Sequence, residues 1–330
     1  MAKFIGRQQE VGIARETTRG TFVVPTFWVP KVNFTVEDKV QKGRFMGNYG
    51  RLEGGDDAFV THKWAEGELE VELQDKIIGL ILYGLLGTVS SASFNSAYKH
   101  TLSVQQSVQP TTLALAMNDP IGAAESPTKT IAYARAMLNS FELNLEMGEL
   151  VKSTIGFLAM PHKDFTRQSS SYTAQNKFAH QHLNFKIAAN EAALDAASKI
   201  NLQMLTLRIE RNVVRENALG TVQPVDILAR NLRVTGTLKL THEDRTYRDY
   251  MLDGTKKALR ITLNNSGVTI GATTPQVQID LANVDFFDWE PSHDLDDVSM
   301  QEIGFEALYD VTNSRLFGTN TFVVNETASY

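Results

Sequence analysis

Glu66-Gly67-Glu68-Leu69-Glu70-Val71-Glu72-Leu73 is the stretch from which the fold is read. In an extended chain successive side chains leave opposite faces, so Leu69, Val71 and Leu73 point one way while Glu68, Glu70 and Glu72 point the other. This predicts a half-buried strand with one greasy face and one acidic face. Asp75 follows as a helix cap, Ile77, Ile78, Ile81, Leu82 and Leu85 recur at helical spacing, and Gly87 supplies a left-handed stop. Gly79 and Gly84 each weaken that helix by about 1 kcal/mol relative to alanine, so it depends on tertiary packing.

The same order returns later in the chain. Thr235-Gly236-Thr237-Leu238-Lys239-Leu240 echoes residues 66–71, and a second helix starting near Asp244 places Tyr247, Tyr250 and Met251 on one face before stopping at Gly254. Upstream of each glycine strand, Phe34-Thr35-Val36-Glu37-Asp38-Lys39-Val40 is matched to Leu207-Arg208-Ile209-Glu210-Arg211-Asn212-Val213; downstream, Ile155-Gly156-Phe157 is matched to Ile303-Gly304-Phe305. Four elements in preserved order point to duplication of one unit: strand, loop, strand, helix, further strands. The expected fold class is α+β, mainly β, with two tandem antiparallel sandwich domains, each carrying a short flanking helix. Further strands are expected over 101–104, 112–117, 137–147 and 150–160.

Working outward, residues 1–27 show no sustained periodicity and read as an N-terminal arm. The first domain spans 28–160, a polar connector 161–199 ends in alanine-rich helical character over 188–198, the second domain spans 200–312, and 313–330 form a C-terminal arm. Residues 44–57 (RFMGNYGRLEGGDD) carry four glycines and no apolar face, which suits a long exposed loop.

The 330 residues are 42% hydrophobic, enough for two modest cores. Basic residues number 32 against 38 acidic, a net charge of −6, which disfavours stable nucleic-acid binding. Without cysteine there are no disulfides, thiol nucleophiles or cysteine zinc sites, in keeping with a reducing cytoplasm. The apolar run 77–89 falls short of the roughly 20 residues that span a bilayer, and MAKFIGRQQE has no apolar signal core, so a soluble chain with no membrane partner is expected.

Each candidate catalytic or ligand motif fails a spacing test. His180 and His182 lack a third metal ligand nearby, and His293-Asp294-Leu295-Asp296-Asp297 lacks the glycine and terminal glutamate of a calcium loop. Asp253-Gly254-Thr255-Lys256 is not a phosphate-binding loop, and Asn265-Ser266-Gly267 is a turn, not a nucleophile elbow. No cofactor is expected, and no enzymatic activity.

Val11-Gly12-Ile13-Ala14-Arg15-Glu16-Thr17-Thr18-Arg19-Gly20-Thr21, followed by Pro25-Thr26-Phe27-Trp28-Val29-Pro30, resembles the N-terminal signature of the major tail tube proteins of long-tailed bacteriophages. Gly12, Ala14, Glu16, Gly20 and Thr21 fill its first pattern; Glu66, Gly67, Leu69, Glu72, Leu73, Leu86 and Gly87 fill its second, a glycine-containing strand leading into an apolar helix. The resemblance implies tube domains whose inner sheets join into a barrel, rings that stack into a hollow noncontractile tail, and passage of double-stranded DNA without stable binding. It also implies a tape measure protein in the lumen, tail terminator and tail-tip proteins at the ends, and a virion component assembled in the host cytoplasm. Two tube domains per chain imply a ring of three chains with pseudo-six-fold symmetry; a single tube domain with a decoration would need six.

On this resemblance the lumen-facing candidates are Glu68, Glu70, Glu72, Glu142, Asn144 and Glu146, with Thr235, Thr237, Lys239, Glu302 and Glu306 from the second copy. The same alternation describes the wet face of any sandwich. Candidates for contacts between rings are Arg15, Glu16, Arg19, Arg44, Tyr49 and Arg51. The alternatives are a tube protein of a contractile injection or secretion system, a tandem sandwich module for carbohydrate or receptor, and, last, a hydrolase. Trp28, Trp64 and Trp289 sit at strand ends, where core or rim packing is the default over a sugar platform.

Overall fold

The computed structural model describes residues 5–53, 57–120, 129–293 and 295–330. In chain order these contain β1 (Glu10–Arg15), β2 (Phe27–Val29), β3 (Lys31–Phe45), β4 (Asp57–Glu72), α1 (Asp75–Leu86), β5 (Gly87–Phe94), β6 (Ala97–Val104), β7 (Leu113–Asn118), β8 (Lys129–Glu146) and β9 (Lys152–Ala159). There follow β10 (Lys163–Thr166), β11 (Leu183–Ala188), β12 (Met204–Glu216), β13 (Asp226–Thr241), α2 (Thr246–Asp253), β14 (Lys257–Asn264), β15 (Gln276–Ser292), β16 (Met300–Ala307) and β17 (Phe322–Asn325). All named strand pairings are antiparallel, so the fold is mainly β with two α-helices among the described residues.

One long sheet runs β3-β4-β9-β8-β12-β13-β16-β15. It contains two groups in the same internal order, joined where β8 pairs β12, with Glu142 opposite Arg208 and Asn144 opposite Thr206. A second layer covers it: β2-β1-β7 continues from the first part of β8, and β11-β14 from the first part of β15. Thus β8 and β15 each serve both layers. Each carries a register shift against its neighbour, between Leu138 and Ser140 opposite Gly156, and between Phe286 and Asp288 opposite Gly304.

The glycines of the repeated motifs are explained by close approach. A Cβ on Gly67 would lie 2.2 Å from the Thr35 carbonyl oxygen and 2.8 Å from Phe157 Cζ; one on Gly236 would lie 2.4 Å from the Thr206 oxygen and 2.3 Å from Phe305 Cζ. In both groups the phenylalanine of the Ile-Gly-Phe motif therefore lies over the glycine of the preceding strand. This register aligns Phe34 with Leu205, two residues away from the expected match to Leu207. Facing parity survives such a slip, because the side-chain period of a strand is two.

The core between the layers includes the fully buried Phe141, Phe157, Phe178, Phe185, Phe286 and Phe305. Helix α1 is buried on nearly all sides, as expected of a helix with apolar residues around its circumference, and ends at Gly87 with φ 96°. Its cap is Gln74; Asp75 is instead the first helical residue, and its buried carboxylate accepts the Asn176 backbone N–H at 2.9 Å and side-chain amide at 2.8 Å. Gly79 makes room for Tyr330, whose hydroxyl donates to the Lys76 carbonyl at 2.7 Å. Helix α2 ends at Gly254 as expected.

The expected arms are corrected. Residues 1–27 contain β1, paired along its whole length with β7, with Val11, Ile13 and Ala14 buried, so the N-terminal segment belongs to the sandwich. Residues 313–330 contain β17, which pairs both β15 and β6 and so fastens the two groups together. The connector 161–199 supplies β10 and β11, and its expected helix over 188–198 reduces to the single 3-10 turn Glu191–Ala193 capped by Asn190. The expected loop 44–57 is shorter, because β3 and β4 pair to its very ends, Phe45 opposite Asp57; Gly54, Gly55 and Asp56 lie outside the described residues.

Gly236→Ala is expected to cost about 1–3 kcal/mol by overpacking against a backbone oxygen. Gly267→Ala, where a Cβ meets nothing nearer than 3.5 Å, is expected to stay within about 0.5 kcal/mol. Thermal unfolding of both variants checks this; equal melting temperatures would contradict the packing.

Candidate functional site

The long sheet buries one face and exposes the other. Leu69, Val71, Phe141, Leu143, Leu145, Leu238, Ile303 and Phe305 lie on the buried side. All eleven residues expected to share a wet face do share it, because the strand registers bring them into common rows. One row runs Glu70, Thr154, Glu142, Arg208, Thr235, Glu306, and the next Glu72, Lys152, Asn144, Thr206, Thr237, Gly304. Glu68 lies opposite Gly156, Glu146 opposite Met204, and Lys239 opposite Glu302.

Carboxylates predominate on this face, with cations set among them. Arg208 Nε lies 2.8 Å from Glu210 and its Nη1 lies 4.0 Å from Glu142 across the β8–β12 join. Arg233 makes a two-pronged contact with Glu306, at 2.7 and 3.2 Å, and that bond holds the Glu306 carboxyl below its ordinary range. Asn144 donates to Glu142 at 2.8 Å and accepts from Thr206 at 3.0 Å, so the join carries side-chain as well as backbone bonds. Arg208 and Arg233 were not singled out from sequence, although the alternation of Thr206, Arg208 and Glu210 is the signal that places Arg208 on this face.

The six residues expected to contact other rings divide. Glu16 is corrected: only 4% exposed, its carboxylate accepts the backbone N–H of Gly20 at 2.7 Å and of Arg135 at 2.6 Å, as well as the Thr112 hydroxyl. Arg19 is corrected likewise, since it pairs with Asp226 at 2.9 Å and donates to the carbonyls of Pro110 and Ile227, tying the β12–β13 hairpin to the first group. Arg15 donates to the Tyr330 carbonyl at 3.2 Å and lies 5.1 Å from the centre of the Tyr83 ring, an internal strap. Arg44, Tyr49 and Arg51 are exposed near the tip of the β3–β4 hairpin.

No group of metal-ligating side chains occurs among the described residues, and Asp294 of the His293–Asp297 run lies outside them. His182 is held in place by accepting the Ala179 N–H at 3.1 Å, with burial pushing its pKa down. Trp28 is buried, Trp64 lies under the Arg215 guanidinium at 3.6 Å, and Trp289 donates to Gln301 at 3.0 Å, which leaves no aromatic platform made of them. None of the helices in the described residues is long and apolar enough to cross a membrane.

A family model described as phage tail tube protein matches residues 6–307. The chain belongs to that family. Its role is therefore structural, as a virion component that self-assembles into a tail tube. No curated protein matches the chain.

The Arg233–Glu306 contact is expected to give this tail tube chain an acid response. A carboxylate depressed in the folded state contributes stability that is complete above the unfolded value, about pH 4.3, and is lost as the pH falls through the folded value. Glu306→Gln is expected to flatten the acid limb of melting temperature against pH. Parallel curves for the two proteins would show that the contact contributes nothing.

Proposed function

We propose that copies of this chain join edge to edge into rings of three, and that the rings stack into a hollow noncontractile phage tail through which genomic DNA is ejected into the host. The observation that supports this is the β8–β12 join. It pairs the last strand of one group with the first strand of the next, and the long sheet ends in the same two strand types, β15 and β3. An open edge presents unpaired N–H and C=O groups and is a template for another chain. Copying the internal register onto those edges sets Glu37 opposite Glu290 and Lys39 opposite Asp288 of a second copy. Two groups per chain then give pseudo-six-fold symmetry from three chains, in a closed ring of heterologous contacts.

In this reading the wet face of the sheet lines the bore. Glu68, Glu70, Glu72, Glu142, Glu146 and Glu302 face a duplex that carries about one negative charge per 1.7 Å, and like charge lets it slide where a cationic wall would hold it by counterion release. A tape measure protein fills the bore during assembly in the host cytoplasm, and terminator and tip proteins close the ends. Among the expected ring contacts, Arg15, Arg44, Tyr49 and Arg51 are exposed.

The native chain has no cysteine, so an introduced pair reports on one contact. Glu37→Cys with Glu290→Cys, oxidised after assembly, is expected to give a covalently closed trimer on a non-reducing gel, because opposed strand residues lie about 4.5–5.5 Å apart, within disulfide reach. Negative-stain images of the same sample should show rings or tubes. Persistent monomers at high concentration would sink the proposal, and closed hexamers would replace the three-chain ring by six.

A further inference from the structure

The two long hairpins of the chain are equivalent in register but not in surroundings. Lys42 pairs Val60 as Val213 pairs Ala229, and Arg44 pairs Ala58 as Arg215 pairs Ile227. At both tips an aspartate accepts its following N–H at 2.7 Å, Asp57 from Ala58 and Asp226 from Ile227. The β12–β13 hairpin is docked: Val213, Ile227 and Ala229 pack on Met137, Leu158 and Met160 of the first group, and Ile227 is 0% exposed. The outer end of the β3–β4 hairpin is exposed at the corresponding positions Lys42 and Ala58, although nearer its base the Lys63 N–H donates to the Val222 carbonyl at 2.7 Å and Trp64 lies under Arg215.

The receptor for the docked hairpin has its own counterpart in the second group. The offset that maps Gly156 onto Gly304 and the β8 shift onto the β15 shift carries Met137, Leu158 and Met160 onto Asp285, Glu306 and Leu308. Both members of the contact change character together. Where Val213 meets two apolar side chains within the chain, Lys42 corresponds to Val213, and two carboxylates stand in the receptor. Asp285 and Glu306 lie directly opposite each other across β15 and β16, an arrangement that is unfavourable for like charges. Arg233 supplies one cation to Glu306.

We infer that a second copy of this chain supplies the other: Lys42 of one copy docks on the Asp285–Glu306 pair of the next, with Ala58 and Val60 on Leu308. This rests on the edge-to-edge reading, since the same neighbour that pairs β3 with β15 brings its β3–β4 hairpin over this receptor, as β12 brings its own hairpin over the first group. It assigns Glu306 to the seam between chains and removes it from the bore.

The test is charge reversal in the full chain. Lys42→Glu is expected to lower the assembled fraction about tenfold or more at fixed concentration in sedimentation velocity, with the monomer's melting temperature unchanged because Lys42 is exposed. Combining it with Asp285→Lys is expected to restore assembly. Assembly of Lys42→Glu at the wild-type level, or no restoration by the double reversal, overturns the docking while leaving the ring reading intact. Rings that form normally but fail to stack would move the hairpin to the contact between rings and likewise overturn it. Absence of rings in the wild-type chain would instead remove the reading beneath it.

Discussion

Backbone hydrogen bonding across the β8–β12 join is the constraint on which the rest of the molecule depends. A strand inside a sheet must satisfy its N–H and C=O groups on both sides, and a buried failure to do so costs as much as a lost hydrogen bond. By pairing the last strand of one group with the first strand of the next, the chain satisfies one such seam internally. The terminal strands of the long sheet repeat the two sides of the join, so the proposed contact between copies would reuse its register. The tying of the halves by Arg19, β17 and Tyr330 follows from this, because each acts to hold the internal seam rigid.

Much of this was legible in the sequence where local chemistry and global fold agree. Glu68, Leu69, Glu70, Val71 and Glu72 alternate because one face is wet, and Gly67 and Gly236 recur because Phe157 and Phe305 lie over them with no room for a Cβ. The Ile-Gly-Phe motif and the glycine strand were read as separate echoes, yet they touch in both groups. Matching Phe34 to Leu207 erred by two residues because a period of two cannot distinguish such a slip; only the pairing partners do. The terminal segments were illegible for another reason. Val11, Gly12, Ile13 and Ala14 are too few to show periodicity, and their strand exists because β7 waits beside them. The same holds for β17, where Val323 pairs with Val277 of β15, 46 residues earlier, and with His100 of β6, 223 residues earlier. Glu16 and Arg19 looked like surface charges because local sequence cannot show that Thr112, Arg135 and Asp226 surround them.

The contrast between the two hairpins bears on how one fold could serve contacts within a chain and, in the proposed assembly, between copies. The seam within the chain forms once, during folding, and is never exposed afterwards; apolar contacts such as Val213 on Met137 and Leu158 suit it, since burial of apolar area is the dominant favourable term. In the proposed assembly the outer seam would stay in water until a second copy arrives. An apolar patch there would invite indiscriminate association, whereas the proposed contact sets the exposed Lys42 against the half-buried carboxylates Asp285 and Glu306. If the second interface lies between molecules as proposed, the divergence of the two groups at these positions is what a duplicated unit would require. The backbone register is shared between the two groups while the side chains at these positions differ.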